Sequence, residues 1–178
     1  MKETAPSLIL ITGIMAAGKS SVAQLVAERL PRSVHLRGDV FRRMIVNGRA
    51  ELGRDLSDEA RAQLQLRYEL AVASAGRYLD AGFSVVHQDI VLGASLAEVV
   101  RQYAGRALHV VVLSPSAASV TTREAGRGKV GYRGIAVADL DRALREDTPR
   151  IGLWVDSSEL TVAETADHIL ARLEAAKV

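Results

Sequence analysis

Gly13-Ile14-Met15-Ala16-Ala17-Gly18-Lys19-Ser20 matches the pattern G-x-x-x-x-G-K-[ST] at every specified position. Residues of these types at this spacing suit one chemistry, the cradling of a polyphosphate. The two fixed glycines permit backbone geometry that a Cβ opposes, so successive N–H groups can turn inward around phosphate oxygens. A helix that starts at the end of the motif adds unpaired donors and the positive end of its dipole. Lys19 then reaches the β- and γ-phosphates, and the Ser20 hydroxyl holds Mg²⁺. The expected ATP-binding set is Gly13, Ala16, Ala17, Gly18, Lys19, Ser20 and Ser21.

Phosphoryl transfer to an alcohol also needs a carboxylate to orient and deprotonate the attacking hydroxyl. Asp39 and Asp89 are the two candidates. Asp39 is expected to act as general base; capping a helix that begins at Val40 is the alternative, and the two roles are compatible. Asp89 is expected on the acceptor and magnesium side, acting through water, with a loop-capping carboxylate as its alternative. Which of the two acids is the base stays open. Arg42, three positions after Asp39, shares its helix face and is expected to steer the acceptor, whereas Arg43 lies roughly 100° further round. A solvated basic face is the competing reading of this pair.

Residues 123–134 place Arg123, Arg127, Lys129 and Arg133 among glycines. Such a segment can fold over a triphosphate as a lid, excluding water while arginines stabilise developing charge. Arg123 and Arg127 are therefore expected on the nucleotide, with Arg127 in a catalytic role; an exposed basic loop is the alternative. His35, His87 and His109 read as core or pocket-wall imidazoles, and His168 sits among polar neighbours. Their spacing fits no zinc pattern, and none is given a role. The backbone of Trp154-Val155-Asp156-Ser157-Ser158 is placed to border an adenine.

Short β-branched runs alternate with longer helical patterns, the mark of a parallel sheet with helical crossovers. Strands are expected at 7–12, 33–37, 83–89, 108–113 and 151–155. Helices are expected at 21–30, 40–46, 57–81, 96–103, 116–125, 137–146 and 161–173. In the longest, Leu64, Tyr68, Ala71, Ala75, Tyr78 and Leu79 follow helical spacing, so its tyrosines read as packing residues. Ligands of open parallel sheets sit beyond the carboxyl ends of the strands, where Asp39 and Asp89 fall.

The 178 residues form one expected domain, with no linker and no internal repeat. Its 48% hydrophobic and 25% charged content is ordinary for a globular chain, and 4% aromatic residues leave an aliphatic core. A net charge of +2 favours anionic ligands without requiring nucleic acid. Cysteine is absent, which removes disulfides and fits a reducing cytoplasm. The apolar stretch after Lys2 runs into the phosphate motif and is too short to span a membrane, so the expectation is a cytoplasmic protein with no membrane partner.

Four segments together resemble the P-loop small-molecule kinases of the nucleotide kinase-like group, with chloramphenicol phosphotransferase as the nearest likeness. They are Ile11 through Ser20; Arg37-Gly38-Asp39; Val86 through Gly93; and Thr122 through Gly128. The resemblance implies a P-loop nucleoside triphosphate hydrolase fold: a three-layer α/β/α sandwich around a five-stranded parallel sheet of order 2-3-1-4-5. It also implies Asp39 as the base, Gly13, Gly18, Lys19 and Ser20 on the triphosphate, and Arg123 and Arg127 in the lid. Residues 39–82 would form the acceptor-binding region. There the sequence departs from the likeness, with more arginine, and Gln88 precedes Asp89 where the likeness has an acidic pair.

The expected function is ATP- and Mg²⁺-dependent transfer to a hydroxyl of a small molecule, an antibiotic among the candidates. A metabolite or nucleoside kinase and a non-catalytic nucleotide-binding regulator are the alternatives. A GTP switch is disfavoured because no Asn-Lys-x-Asp guanine-reading motif occurs. Work on polynucleotide ends is disfavoured because only seven aromatics are present for stacking.

Overall fold

A computed structural model describes residues 5–53, 55–125 and 137–178. Five parallel strands form the sheet: β1 (Leu8–Gly13), β2 (Ser33–Arg37), β3 (Ser84–Gln88), β4 (Leu108–Leu113) and β5 (Leu153–Val155), in the order β2-β3-β1-β4-β5. β1 pairs with β3 on one side and β4 on the other. Buried on both faces, β1, β3 and β4 read as continuous rather than alternating apolar runs.

Helices cover both faces. α1 (Lys19–Glu28) connects β1 to β2, and the short α2 (Asp39–Arg43) and long α3 (Asp58–Asp80) connect β2 to β3. α4 (Ala94–Gln102) follows β3, α5 (Ala117–Ala125) and α6 (Val137–Arg142) follow β4, and α7 (Val162–Ala171) closes the chain. The β1-to-β2 connection crosses the sheet in one direction and the later ones in the other. Right-handed crossovers therefore place α1 opposite α3 and α4. α7 returns to pack on α1, and α3 packs on α4, β2 and β3.

Element ends differ from the sequence expectation for local reasons. α1 starts two residues early because Gly18, at φ 89°, turns the chain directly from the loop into the helix. β5 is confined to three residues by Gly152, whose φ is 71° and whose missing Cβ would lie 2.2 Å from the Val110 carbonyl oxygen. The helix expected at 137–146 narrows to α6 and then widens into a π-turn, Ala143–Asp147, that buries Leu144. Thr161 caps α7 rather than joining it, in a reciprocal capping box with Glu164.

The core is aliphatic, as composition requires, built from Leu8 to Ile11, Val110 to Leu113, and the Val and Ala faces of α1 and α3. Tyr68 is buried, its hydroxyl donating to the Ile90 carbonyl 2.9 Å away, whereas Tyr78 is surface-exposed and meets Phe83 edge-on. The lone tryptophan, Trp154, lies in β5 under the Arg150 guanidinium, 4.0 Å from ring centroid to Cζ. No helix among the described residues is long and apolar enough to cross a membrane.

Candidate active site at the carboxyl edge of the sheet

The carboxyl ends of β1, β2 and β3 converge on one edge, and hydrogen bonds continue the ladder past the strands. Gly38 N–H donates to the Gln88 carbonyl at 3.0 Å and Asp89 N–H to the Ile11 carbonyl at 3.2 Å. The phosphate loop leaves β1 at Gly13, whose φ is 142° and whose missing Cβ would stand 2.4 Å from the Leu113 carbonyl oxygen. Only glycine fits that approach. Ala16 also takes a positive φ, 56°, so the loop curls as a concave nest. Lys19 is buried and its ammonium donates to the Ile14 carbonyl at 2.6 Å, across the mouth of that nest. The backbone and the lysine are thus arranged as a polyphosphate site requires.

The Ser20 hydroxyl donates to Gln88 Oε1 at 3.2 Å. This contact is absent from the sequence expectation, which looked to Asp89 at this point. Asp89 is placed elsewhere. Its side chain is fully buried and takes Arg67 Nε at 3.0 Å on Oδ2, while Arg67 Nη2 and the Ile90 N–H (2.7 Å) both reach Oδ1. Arg67, from the middle of α3, is itself only 3% exposed. His87 Nε2 lies 3.9 Å from Asp89 Oδ2, and its Nδ1 lies 2.9 Å from the Tyr103 hydroxyl. Burial, and then the Arg67 charge, push the His87 imidazole down to about 3, so it stays neutral. Burial holds the Tyr103 phenol protonated, and it shares a hydrogen bond with His87 Nδ1.

Gly38 sits against this buried pair. A Cβ there would come 2.0 Å from Asp89 Oδ2, and the two bonds to Arg67 leave that carboxylate no room to retreat. Gly38→Ala is expected to cost about 1–3 kcal/mol through overpacking, although its φ of −62° suits any residue. Urea unfolding checks this; a midpoint equal to that of the unaltered chain would mean that the contact is not tight.

Asp39 is the first residue of α2 and does not cap it; Gly38 holds the cap position with no side-chain bond. Its carboxylate instead stands between two guanidinium groups, Arg43 Nη2 at 3.2 Å from Oδ2 and Arg37 Nε at 3.8 Å from Oδ1. The arginine paired with Asp39 is therefore Arg43 rather than Arg42, because the fourth position on stands about 40° round the helix from Asp39 and the third about 60°. Arg42 turns its Nη2 to the Ala50 carbonyl and pins the turn after α2.

On the other side of the loop, a cavity of about 410 Å³ opens between the start of α1, the end of α5 and the β5–α7 connection. Ala16, Ala17, Gly18 and Ser21 form one wall, and Arg123, Ser157 and Thr161 another. Its volume suits a nucleoside. Arg123 Nη2 crosses to the Ser157 carbonyl at 2.7 Å, so the β5–α7 connection does border this space. Arg127 and most of the expected lid, its residues 126–134, lie outside the described residues.

Among the described residues no group of three or more His, Asp or Glu could hold a metal ion. A metal at this site would be held through Ser20 and the nucleotide's own oxygens, and a hydroxyl that donates its proton to Gln88 keeps its lone pairs for that purpose. The residues present therefore fit an Mg²⁺–nucleotide pair.

Solved structures with the same fold span almost the whole chain. An unliganded sugar kinase from Janibacter sp. HTCC2649 superposes with a TM-score of 0.72 at 17% identity, covering 96% of each chain. The Mycobacterium tuberculosis APS kinase, in complex with AMPPNP and APS, gives 0.69 at 21% identity over 96% of this chain and 98% of its own. A tunicamycin resistance protein from Deinococcus radiodurans gives 0.70 at 18% identity over 97% and 98%. No curated protein matches the sequence at a significant level. The model of the AAA domain family matches residues 8–148, most of the chain, including the phosphate loop and β1 to β4. With its 2-3-1-4-5 parallel sheet and kinase-type P-loop fold, the chain belongs to that AAA domain family.

Proposed function

We propose that this protein transfers the terminal phosphoryl group of ATP to a hydroxyl of a small molecule. The observation that carries the reading is the placement of Asp39 on the same sheet edge as the phosphate loop, with a nucleoside-sized cavity on the loop's far side. In this reading the loop amides and Lys19 bind the triphosphate, and Arg123, Ser157 and Thr161 border the base. Mg²⁺, when bound, neutralises charge on the transferring oxygens. Asp39 accepts the acceptor's proton as its oxygen attacks phosphorus, while Arg37 and Arg43 fix the carboxylate's direction. Lys19 stays with the leaving oxygens, and the charge of Arg127 is assigned to the same developing charge.

Two acceptor classes follow. The first is an antibiotic hydroxyl, in keeping with the chloramphenicol phosphotransferase likeness of the motif segments. The second is an anionic metabolite, favoured by one observation: Arg37 and Arg43 flank Asp39 with about half of each side chain still exposed to solvent. Radiolabelled ATP offered to panels of neutral antibiotic alcohols and of phosphorylated or carboxylated alcohols separates them, with mass spectrometry of the labelled product. Label transferred to neither panel would leave the acceptor assignment without support. With a working acceptor, Asp39→Asn is expected to lower the transfer rate by about 10²–10⁴-fold. ATP affinity, read by equilibrium dialysis, should stay unchanged. An Asp39→Asn protein with full turnover would remove Asp39 from the role of base.

A further inference from the structure

We propose, resting on the phosphoryl-transfer reading above, that Gln63 and Arg67 are positioning residues for Asp39: from one face of α3 they grip both ends of the segment that carries it, and so set its distance from the phosphate loop. The segment needs such a grip. α2 is five residues long, too short to be stable by itself, and none of its residues is fully buried. Met44 and Val46, which follow it, stand out in solvent. Apolar burial alone therefore does not fix where Asp39 sits, and polar contacts have to do so.

Gln63 and Arg67 lie four positions apart on α3 and share a face of it. Both side chains are buried. Gln63 takes the far end of the segment. Its Oε1 accepts the Ala50 N–H at 2.9 Å, and its Nε2 donates to the Gly48 carbonyl at 2.8 Å and to Glu59 Oε1 at 2.7 Å. Only this orientation of the amide works, because a backbone N–H can only donate while a carbonyl and a carboxylate only accept. The Ala50 carbonyl is held as well, by Arg42 Nη2, so both polar groups of that residue are tied. Arg67 takes the near end through Asp89. The carboxylate that it clamps is the surface on which Gly38 rests, one residue before Asp39. Asp89 also reaches the other partner in the chemistry: its N–H donates to the Ile11 carbonyl, two residues before the phosphate loop opens at Gly13. One residue is thus the common reference for the loop and for the base, and α3 holds that reference in place.

The test follows Mg²⁺–ATP in single turnover, with the alcohols of the labelled-ATP panels and with water alone as acceptor. With water, its oxygen bonds the γ-phosphorus, the bond to the β,γ-bridging oxygen breaks, ADP leaves and Asp39 takes the proton. Gln63→Leu removes the far grip and should slow turnover about 10–100-fold, the scale of a misplacement on the order of 1 Å. Arg67→Lys keeps the charge but not the two-pronged contact, and should slow it in the same sense. ATP affinity, by calorimetric titration, should not move in either variant. In an Asp39→Asn background neither change should lower the rate further, because the group being positioned is gone. A residue that served stability alone would leave the rate of the folded protein intact, or would lower rate and affinity together and go on doing so without Asp39. Full turnover in both variants, with melting curves that show them folded, overturns the positioning role and leaves the transfer reading standing. Full turnover in Asp39→Asn removes the base, and the positioning proposal with it. Neither hydrolysis nor transfer by the unaltered protein sinks the transfer reading itself.

Discussion

Lys19→Ala is expected to lower phosphoryl transfer by about 10²–10³-fold, the loss seen when one preorganised donor is withdrawn from a developing charge. The argument is local. The ammonium is enclosed within the loop and directed across it, bonded at 2.6 Å to the Ile14 carbonyl. A polyanion in the nest would draw that group without any movement of α1, because Lys19 is itself the first residue of the helix. Truncation removes the one lysine of the loop from a site where burial keeps charge interactions strong. The fold should tolerate the change, since the Ile14 carbonyl keeps the Ala17 N–H as a partner at 3.3 Å. Lys19→Arg should fare little better, because a planar fork cannot occupy the place of a compact ammonium tucked against a carbonyl. ATP titration and single-turnover transfer check both variants. Equal affinity and equal rate in Lys19→Ala would show that the loop does not handle phosphate.

The largest expected effect on stability lies at Arg67 and Asp89. Each single truncation, Arg67→Met or Asp89→Val, strands the partner's charge in the interior and should cost about 3–5 kcal/mol. For a chain of this size that is a fall in Tm on the order of 10 °C. The double variant Arg67→Met with Asp89→Val strands no charge and should recover part of the loss; the Ile90 N–H, which also donates to Asp89, remains without its acceptor. The difference between the loss in the double variant and the sum of the single losses measures the coupling directly. Calorimetric melting of the four proteins is the measurement. Singles within about 1 kcal/mol of the unaltered chain would mean that water reaches the pair. The pair also ties the middle of α3 to the end of β3, and so holds the long helix against the carboxyl edge of the sheet.

Much of this arrangement is legible in the sequence, because it is written in contiguous residues. Gly13 through Ser20 declares the nest by spacing alone, and the alternation of β-branched runs with helical periods declares a parallel sheet. Asp39 follows a strand directly, so a carboxylate at the sheet edge is expected without coordinates. The contacts that join distant segments are different. Arg67 stands in the middle of a long helix and reads as one of its polar residues; nothing local shows that it is buried against an acid 22 positions on. Asp89 looks free for a metal until that partner appears. Gln88 looks like an interruption of an acidic pair, yet it is the side chain that meets Ser20. One clue lay in composition: an uncharged amide among buried strand residues needs polar partners. Arg43 replaces Arg42 beside Asp39 for a geometric reason, since the fourth position on lies nearer Asp39's helix face and the Arg42 guanidinium turns to the Ala50 carbonyl.

The single indole of the chain offers something practical. Trp154 lies in β5, three residues before Ser157 on the cavity wall, with a guanidinium stacked on its face and an N–H that has no acceptor among the described residues. Its emission is set by those neighbours alone, undiluted by other tryptophans. Occupancy of the cavity can therefore be followed by native fluorescence, without a dye, a label or a coupled assay.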